Sequence, residues 1–136
     1  VSASAELQDA VIAALLADAT VAAAVLGRVY DEPPPASGRK FPNITIGGGD
    51  AGIEDLECIT LRLESLQVDV WTRENGRKRP ARELTDAVVN ALHLQDLPLA
   101  THALAHLQVE AVRVMRDPDG ITAHGVVTLA AEIEQR

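Results

Sequence analysis

Leu7, Val11 and Leu15 recur every four residues, and Ile12 and Leu16 widen the same stripe. That period predicts an amphipathic helix over about Ser4–Ala17. Ser4 is placed to cap it, and Glu6 and Asp9 lie where carboxylates favour the helix dipole. A second short helix is expected over Thr20–Leu26, with Gly27 in the left-handed position that ends it. Asp31-Glu32-Pro33-Pro34-Pro35 cannot be helical, and Ala36-Ser37-Gly38 prolongs the loop. Phe41-Pro42 opens a strand that carries Ile44 and Ile46 on one face. A proline there predicts an edge position.

Gly47–Ile59 contains a triple glycine and the acidic run Glu54-Asp55-Leu56-Glu57. It reads as a mobile loop or extended arm, and a loop of that length in a small domain is functional or disordered. Strand alternation resumes over Leu61–Thr72, where Leu66, Val68 and Val70 alternate with Gln67, Asp69 and Trp71. Leu61 and Leu63 are out of phase with them, which predicts a bulge or bend near Glu64-Ser65. Asn75-Gly76 ends the strand. A helix follows over about Lys78–Leu92, with Pro80 in its first turn and Leu84, Ala87, Val88, Ala91 and Leu92 on one face. Leu94–Ala105 reads as irregular. The remainder reads as a hairpin: Leu107–Arg116, a turn at Asp117-Pro118-Asp119-Gly120, and Ile121–Ile133 with strict period-two alternation.

The expected order is α-α-β-β-α-β-β. This is an α+β fold, a small antiparallel sheet of about four strands with two main helices on one face. The 136 residues fit a single domain over 1–136. Tyr30, Phe41 and Trp71 are the only aromatic residues, so the core must be built from Leu, Ile, Val and Ala. Trp71, Val126 and Ala130 point to the face away from the helices, and an open face with apolar groups often meets a partner.

Charge changes the picture next. The net charge of −8 argues against wrapping nucleic acid, because phosphate binding needs clustered Lys and Arg. Cys58 is the only cysteine, so no intrachain disulfide is possible and a reducing compartment is expected. No apolar stretch is long enough to span a bilayer, and the amino-terminal run lacks a basic flank of the secretion-signal kind.

The candidate chemistry is thin. Gly47-Gly48-Gly49 is followed by Asp50 and not by Gly-Lys-Ser/Thr, so it does not read as a phosphate loop. His102 and His106 have a spacing that could ligate a metal from one helical face, but no His-Glu-x-x-His pattern surrounds them. They read as surface or half-buried histidines. Asp117-Pro118-Asp119-Gly120 lacks the later acidic ligands of a calcium loop and reads as a turn. No catalytic grouping or cofactor fingerprint appears, so no enzyme, cofactor or metal is expected. The one basic cluster is Arg73, Arg77, Lys78, Arg79 and Arg82. An ionic contact between it and the acidic loop of an identical subunit would suit a head-to-tail ring. The candidate subunit contacts are therefore Asp50, Glu54, Asp55 and Glu57 on one side, and Trp71, Arg73, Arg77, Lys78 and Arg79 on the other.

Several motifs occur in a fixed order. Leu7-x3-Val11-x3-Leu15-Leu16-Ala17-Asp18 leads to Val21 and Val25, then Gly27-Arg28-Val29-Tyr30-Asp31 and the proline loop. Phe41-Pro42-Asn43-Ile44-Thr45-Ile46-Gly47 follows, then Leu66-Gln67-Val68-Asp69-Val70-Trp71-Thr72. A helix holding Ala81, Leu84 and Ala87 comes next. Asp117-Pro118-Asp119-Gly120-Ile121-Thr122-Ala123-His124-Gly125 ends the series. Over nearly its whole length the chain resembles the tail-completion or tail-terminator family of long-tailed bacteriophages, prophages and the phage-like gene transfer agents of alphaproteobacteria. The gene-transfer-agent branch is the most similar.

The resemblance implies a ring, usually of six subunits, at the head-proximal end of a tail tube. Such a ring stops tube polymerisation and meets the head's connector or adaptor proteins, and DNA crosses its lumen. It implies assembly in the bacterial cytoplasm into a phage-like particle, with the major tail-tube protein as a partner and no membrane. The family brings no catalytic residues. Two other readings stay open: a head–tail connector or head-completion protein, and a small enzyme or ligand-binding domain.

Overall fold

The computed structural model describes every residue from Val1 to Arg136. Helix α1 (Ala3–Ala17) is capped by Ser2, whose hydroxyl accepts from the Ala5 amide at 3.1 Å. Ser4 is therefore not the cap. It lies inside the first turn, and its hydroxyl donates to Glu64. Leu7, Val11 and Leu15 are buried as their spacing requires. Leu16 stays 42% exposed, so the stripe is narrower than the sequence predicts.

Asp18 ends α1 and caps α2 (Ala19–Val25), accepting from the Val21 amide at 3.0 Å. The two helices meet at 86°, and no single helix is long and apolar enough to cross a membrane. Leu26 and Gly27 both take left-handed backbone conformations and turn the chain into β1 (Val29–Tyr30).

The remaining elements are β2 (Asn43–Gly47), β3 (Ala51–Asp55), β4 (Thr60–Thr72), α3 (Arg79–Leu92), β5 (Ala103–Arg116) and β6 (Ala123–Gln135). They form one six-stranded sheet in the order β1-β2-β4-β6-β5, with β3 also paired to β4. All pairings are antiparallel except the two-residue β1–β2 contact. The fold is α+β, with β1 and β3 added to the four strands that the alternation predicts. β1 is too short to display a period. β3 has every residue exposed, so no apolar face marks it in the sequence.

β4 and β6 pair without a break from Thr60↔Gln135 to Thr72↔Ala123. β4 thus contains no bulge against β6, and the expected kink lies across its other edge. There Gly47 faces Gln67 and Ala51 faces Glu64, so Gly48-Gly49-Asp50 opposes only Leu66 and Ser65. β2 and β3 are in effect one strand along the same side of β4, interrupted by this extra residue; β1 covers the outer side of β2 at Ile44 and Thr45, so the strand that Pro42 precedes is not the edge the sequence predicts. A Cβ on Gly49 would stand 1.8 Å from the Ser65 carbonyl oxygen, so only glycine permits the close approach. The odd phase of Leu61 and Leu63 has a different cause. Arg62 and Glu64, a polar pair, continue the helix-side face of Val68 and Val70, which leaves the leucines on the open face.

β5 starts at Ala103 and takes the last three residues of the stretch read as irregular. It carries two register breaks, between Leu104 and His106 and between Val109 and Ala111. β6 begins only at Ala123, because the turn holds Ile121 and Thr122: the Asp119 carboxylate accepts from both of their amides. Ile121 is 47% exposed, while Ala123, Val127, Leu129, Ala131 and Ile133 keep the predicted buried alternation.

The core lies between the helices and one face of the sheet. Leu7, Val11 and Leu15 of α1, Val21 and Val25 of α2, and Leu84, Val88 and Leu92 of α3 meet Ile44, Val68, Val70, Val127, Leu129 and Ile133. No aromatic ring enters this cluster, and small residues let the layers approach. A Cβ on Gly125 would come within 2.2 Å of the Thr85 hydroxyl, which shows how closely α3 lies on β6.

Candidate assembly surfaces at the two ends of the sheet

β3 and the first half of β4 form a hairpin, the arm, at one edge of the sheet: β3 is its outer strand, while β4 pairs with β6 along its other side. Residues 48–59 are all exposed. The expected mobile loop is therefore a paired ribbon. Its strands run in register from Ala51↔Glu64 to Asp55↔Thr60, and the turn is closed by the Leu56 amide donating to the Ile59 carbonyl at 2.8 Å. Asp50 sits at the root, donating its amide to the Ser65 hydroxyl at 2.8 Å. Asp55 accepts from the Thr60 hydroxyl at 3.0 Å. The carboxylates of Asp50, Glu54 and Glu57 have no partner in the chain. Ile53, Leu56, Ile59 and Leu63 are 64%, 45%, 39% and 39% exposed, so the arm is both apolar and acidic. Cys58 is exposed at its tip.

The root is fastened to α1. Glu64, only 8% exposed, lies 2.9 Å from Arg62 as an ion pair without hydrogen-bond alignment, and Ser4 bonds to both residues. Burying Glu64 without Arg62 would leave a desolvated carboxylate, so this pair decides whether the arm's base holds its geometry.

The other end of β4 holds a different surface. Trp71 stacks on His124 with ring centres 3.8 Å apart and planes at 7°, and its indole N–H donates to the Thr45 hydroxyl at 3.0 Å. Asp69 bonds His124 at 2.7 Å and Gln67 at 2.8 Å. Arg73 lies over the Phe41 ring, 4.1 Å from its centre, and donates to the Thr122 hydroxyl at 3.1 Å. Asp119 accepts from Thr122 and stands 3.8 Å from Arg73. Its carboxyl is held below the ordinary range, chiefly by the Thr122 hydroxyl and further by the Thr122 and Ile121 amides and Arg73, against the opposing effect of burial. Phe41, Asn43, Trp71 and Arg73 line a cavity of about 140 Å³, with Arg39 and Asp117 at its wall. Asn43 is fully buried. Its amide nitrogen donates to the Lys40 carbonyl at 2.9 Å, while its Oδ1 finds no donor in the chain.

The basic cluster continues beyond this pocket. Arg77 pairs with Glu74 at 3.2 Å and Arg79 with Glu83 at 2.9 Å. Both pairs are exposed, and both were invisible to a reading of the basic residues alone. Lys78 has no ion-pair partner. The structure therefore brings Trp71 and Arg73 into one pocket, with Arg77, Lys78 and Arg79 at the adjoining turn. It separates all of them from the acidic residues along β4: Asp50 bonds Ser65, about 20 Å of strand from Trp71, and Glu54 and Asp55 face Leu61 and Thr60, about 35 Å from it, with Glu57 in the turn beyond. Of the twelve basic residues, only Arg62 and Arg136 lie at the arm end.

His102 lies in the bend just before β5 and His106 within the strand, so their spacing of four does not place them on one helical face. His102 is buried between the two ends of the chain, bonded to the Val1 carbonyl and the Arg136 amide, both at 3.0 Å. No three His, Cys, Asp or Glu side chains converge as metal ligands. Asp69–His124 resembles a carboxylate-oriented base, but no nucleophile bonds to the imidazole and Trp71 covers its face.

The family model for the tail completion protein gp17 matches residues 9–134. The chain belongs to the tail completion protein gp17 family. The matched span includes the arm, the Trp71 pocket and the basic turn. A chain from the virion of a native gene transfer agent particle is 26% identical, with a TM-score of 0.83 and 98% of both chains covered. The gp17 protein of bacteriophage SPP1 shares the fold at 19% identity and a TM-score of 0.59, covering 95% of this chain and 89% of that one. No match is found among curated proteins. Sequence reasoning missed Phe41, Asn43, Thr45, His124 and Asp119 as neighbours of Trp71 and Arg73. Only the β2–β4–β6 register brings them together, and no local pattern encodes it.

Proposed function

We propose that this tail completion protein is a structural component of a phage-like particle that forms a ring, of six subunits, at the head-proximal end of the tail tube. The ring ends tube polymerisation and joins the tail to the head's connector, and DNA passes through its lumen. It assembles in the bacterial cytoplasm and performs no catalysis. Its partners are further copies of itself, the major tail-tube protein and the connector or adaptor above it.

The family match over residues 9–134, together with the full-length likeness to a chain in a gene transfer agent virion, carries this reading. The polarity of the molecule supports the ring. An acidic arm at one end and a basic surface at the other cannot meet within one chain, but they are suited to head-to-tail contacts that close on themselves. The acidic balance of the chain also suits a channel along which a phosphate backbone slides without adhering.

Deleting the gene tests the reading. The expected result is tails of uncontrolled length, or heads and tails that do not join. Particles of normal length and completeness would refute it. Co-purification with tailless heads and not with headless tails would instead favour a connector or head-completion role.

A further inference from the structure

We infer that β3 of one copy adds to the free outer edge of β5 in the next, so that one sheet runs from subunit to subunit. The inference rests on the ring reading and names the contact that joins its subunits. Backbone bonding alternates along an antiparallel strand, so residues that bond one neighbour leave those between them facing outward. On β3 the Leu56–Ile59 and Ser65–Asp50 bonds fix this phase. Gly52 and Glu54 bond β4, and Ala51, Ile53 and Asp55 turn their amides and carbonyls outward. On β5 the first half of the outer edge is taken: the Leu107 carbonyl accepts from the Leu94 amide, and the Val109 amide donates to His93. Past the second register break the Asp117–Thr122 bond sets the phase, so Val112, Val114 and Arg116 face outward, and no strand pairs with them. Unpaired edges of this kind are templates for another strand.

The two edges fit in one register. With Ile53 opposite Val114, bonds are exchanged by Ala51 with Arg116, Ile53 with Val114 and Asp55 with Val112. Ile53 and Val112, 64% and 46% exposed, are then covered on the helix side of the sheet. On the open face Glu54 stands directly opposite Arg113; both are exposed, and neither has an ion-pair partner in its own chain. Met115 faces Gly52, where no side chain competes for the space. Asp50 and Asp117 would repel, but they lie just past the ends of both strands.

Like edges match less well. Two β3 edges bring only carboxylates together, and two β5 edges centred on Arg113 set the guanidiniums face to face. Within one chain β4 and β6 lie between β3 and β5, so the edges never meet. Through the antiparallel pairings β3 and β5 run in opposite directions, so a copy repeated head to tail presents them antiparallel. Glu54 lies level with Glu134 through Leu61, and Arg113 lies level with Val126. The neighbour is therefore displaced along the strands by about 26 Å. That stagger inclines the strands to the ring axis, as closing a sheet on itself requires.

Exchanging the charges of the full chain tests the contact. Glu54→Arg alone and Arg113→Glu alone should each weaken assembly in sedimentation by about fivefold per contact, and the two together should restore it. A Cys58→Ser chain carrying Glu54→Cys and Arg113→Cys gives the direct readout, because opposite residues of a non-hydrogen-bonded pair stand at disulfide distance. Oxidation should join such copies into covalent multimers, while either cysteine alone leaves monomers. Rings that form without this cross-link, or a doubly reversed chain that assembles no better than the single variants, would overturn the inference while leaving the ring standing. Cross-linked dimers from Arg113→Cys alone would overturn it in favour of paired β5 edges. Failure of the wild-type chain to form any oligomer would refute the ring reading and this contact with it.

Discussion

Two residues concentrate the constraints that the fold imposes on single positions. Gly49 faces the Ser65 carbonyl with no room for a Cβ. Gly49→Ala must push the bulge away from β4 and break the paired bonds between Asp50 and Ser65. β3 is an exposed edge strand, so the damage should stay local. Amide exchange at Ser65 should accelerate at least tenfold while the urea midpoint hardly moves; unchanged exchange would show that the bulge tolerates the methyl group. Asp119 gives a prediction for pH. Its folded-state carboxyl titrates below the ordinary value of 3.8, so its bonds to Thr122 and Ile121 add stability at neutral pH. That stability is lost as pH falls below 3.8 and through the depressed folded value. Denaturant midpoints measured from pH 6 to pH 2 should fall less steeply for Asp119→Asn than for wild type. Parallel acid limbs would contradict this.

At the scale of elements, legibility followed periodicity. α1, α3 and β6 bury one face each, so spacing alone exposes them in the sequence. The residues that failed prediction are those whose state depends on a distant partner. Ser4 loses the cap to Ser2 because Glu64, sixty residues away, takes its hydroxyl. β3 exists because β2 stops at Gly47 and leaves the rest of that side of β4 free for an acidic, glycine-flanked segment. The candidate contacts were legible as charge and as one aromatic residue. The pocket was not, because it joins residues from two strands and three loops. The same distinction separates the stabilities of the parts. Leu15→Ala, in the core between α1 and the sheet, should cost about 2–5 kcal/mol in chemical denaturation. Removing residues 51–59 and bridging the gap should leave the melting temperature of the body within a few degrees of wild type, because every deleted residue is exposed. The same deletion should prevent self-association in sedimentation. A shortened chain that melts far lower would show the arm to be part of the body's stability.

The whole molecule is an elongated sheet with opposite chemistry at its ends. An interface between such ends is weakened by salt, because exposed charges are screened beyond about 8 Å at physiological ionic strength. Raising salt from 0.1 to 0.5 M should therefore shift assembly toward monomers. Arg77→Glu with Lys78→Glu should shift it further, with Lys78 the stronger contributor because Arg77 already pairs with Glu74. Assembly indifferent to both changes would show that these charges lie outside the contact. The family match and the two-ended architecture converge on a role in completing a tail. Electron cryomicroscopy of isolated headless tails tests that role most directly. The account predicts a closed ring of this chain on the head-proximal end of each tube, each arm reaching the neighbouring subunit. Tails that end bare, with the chain found on tailless heads, would contradict it.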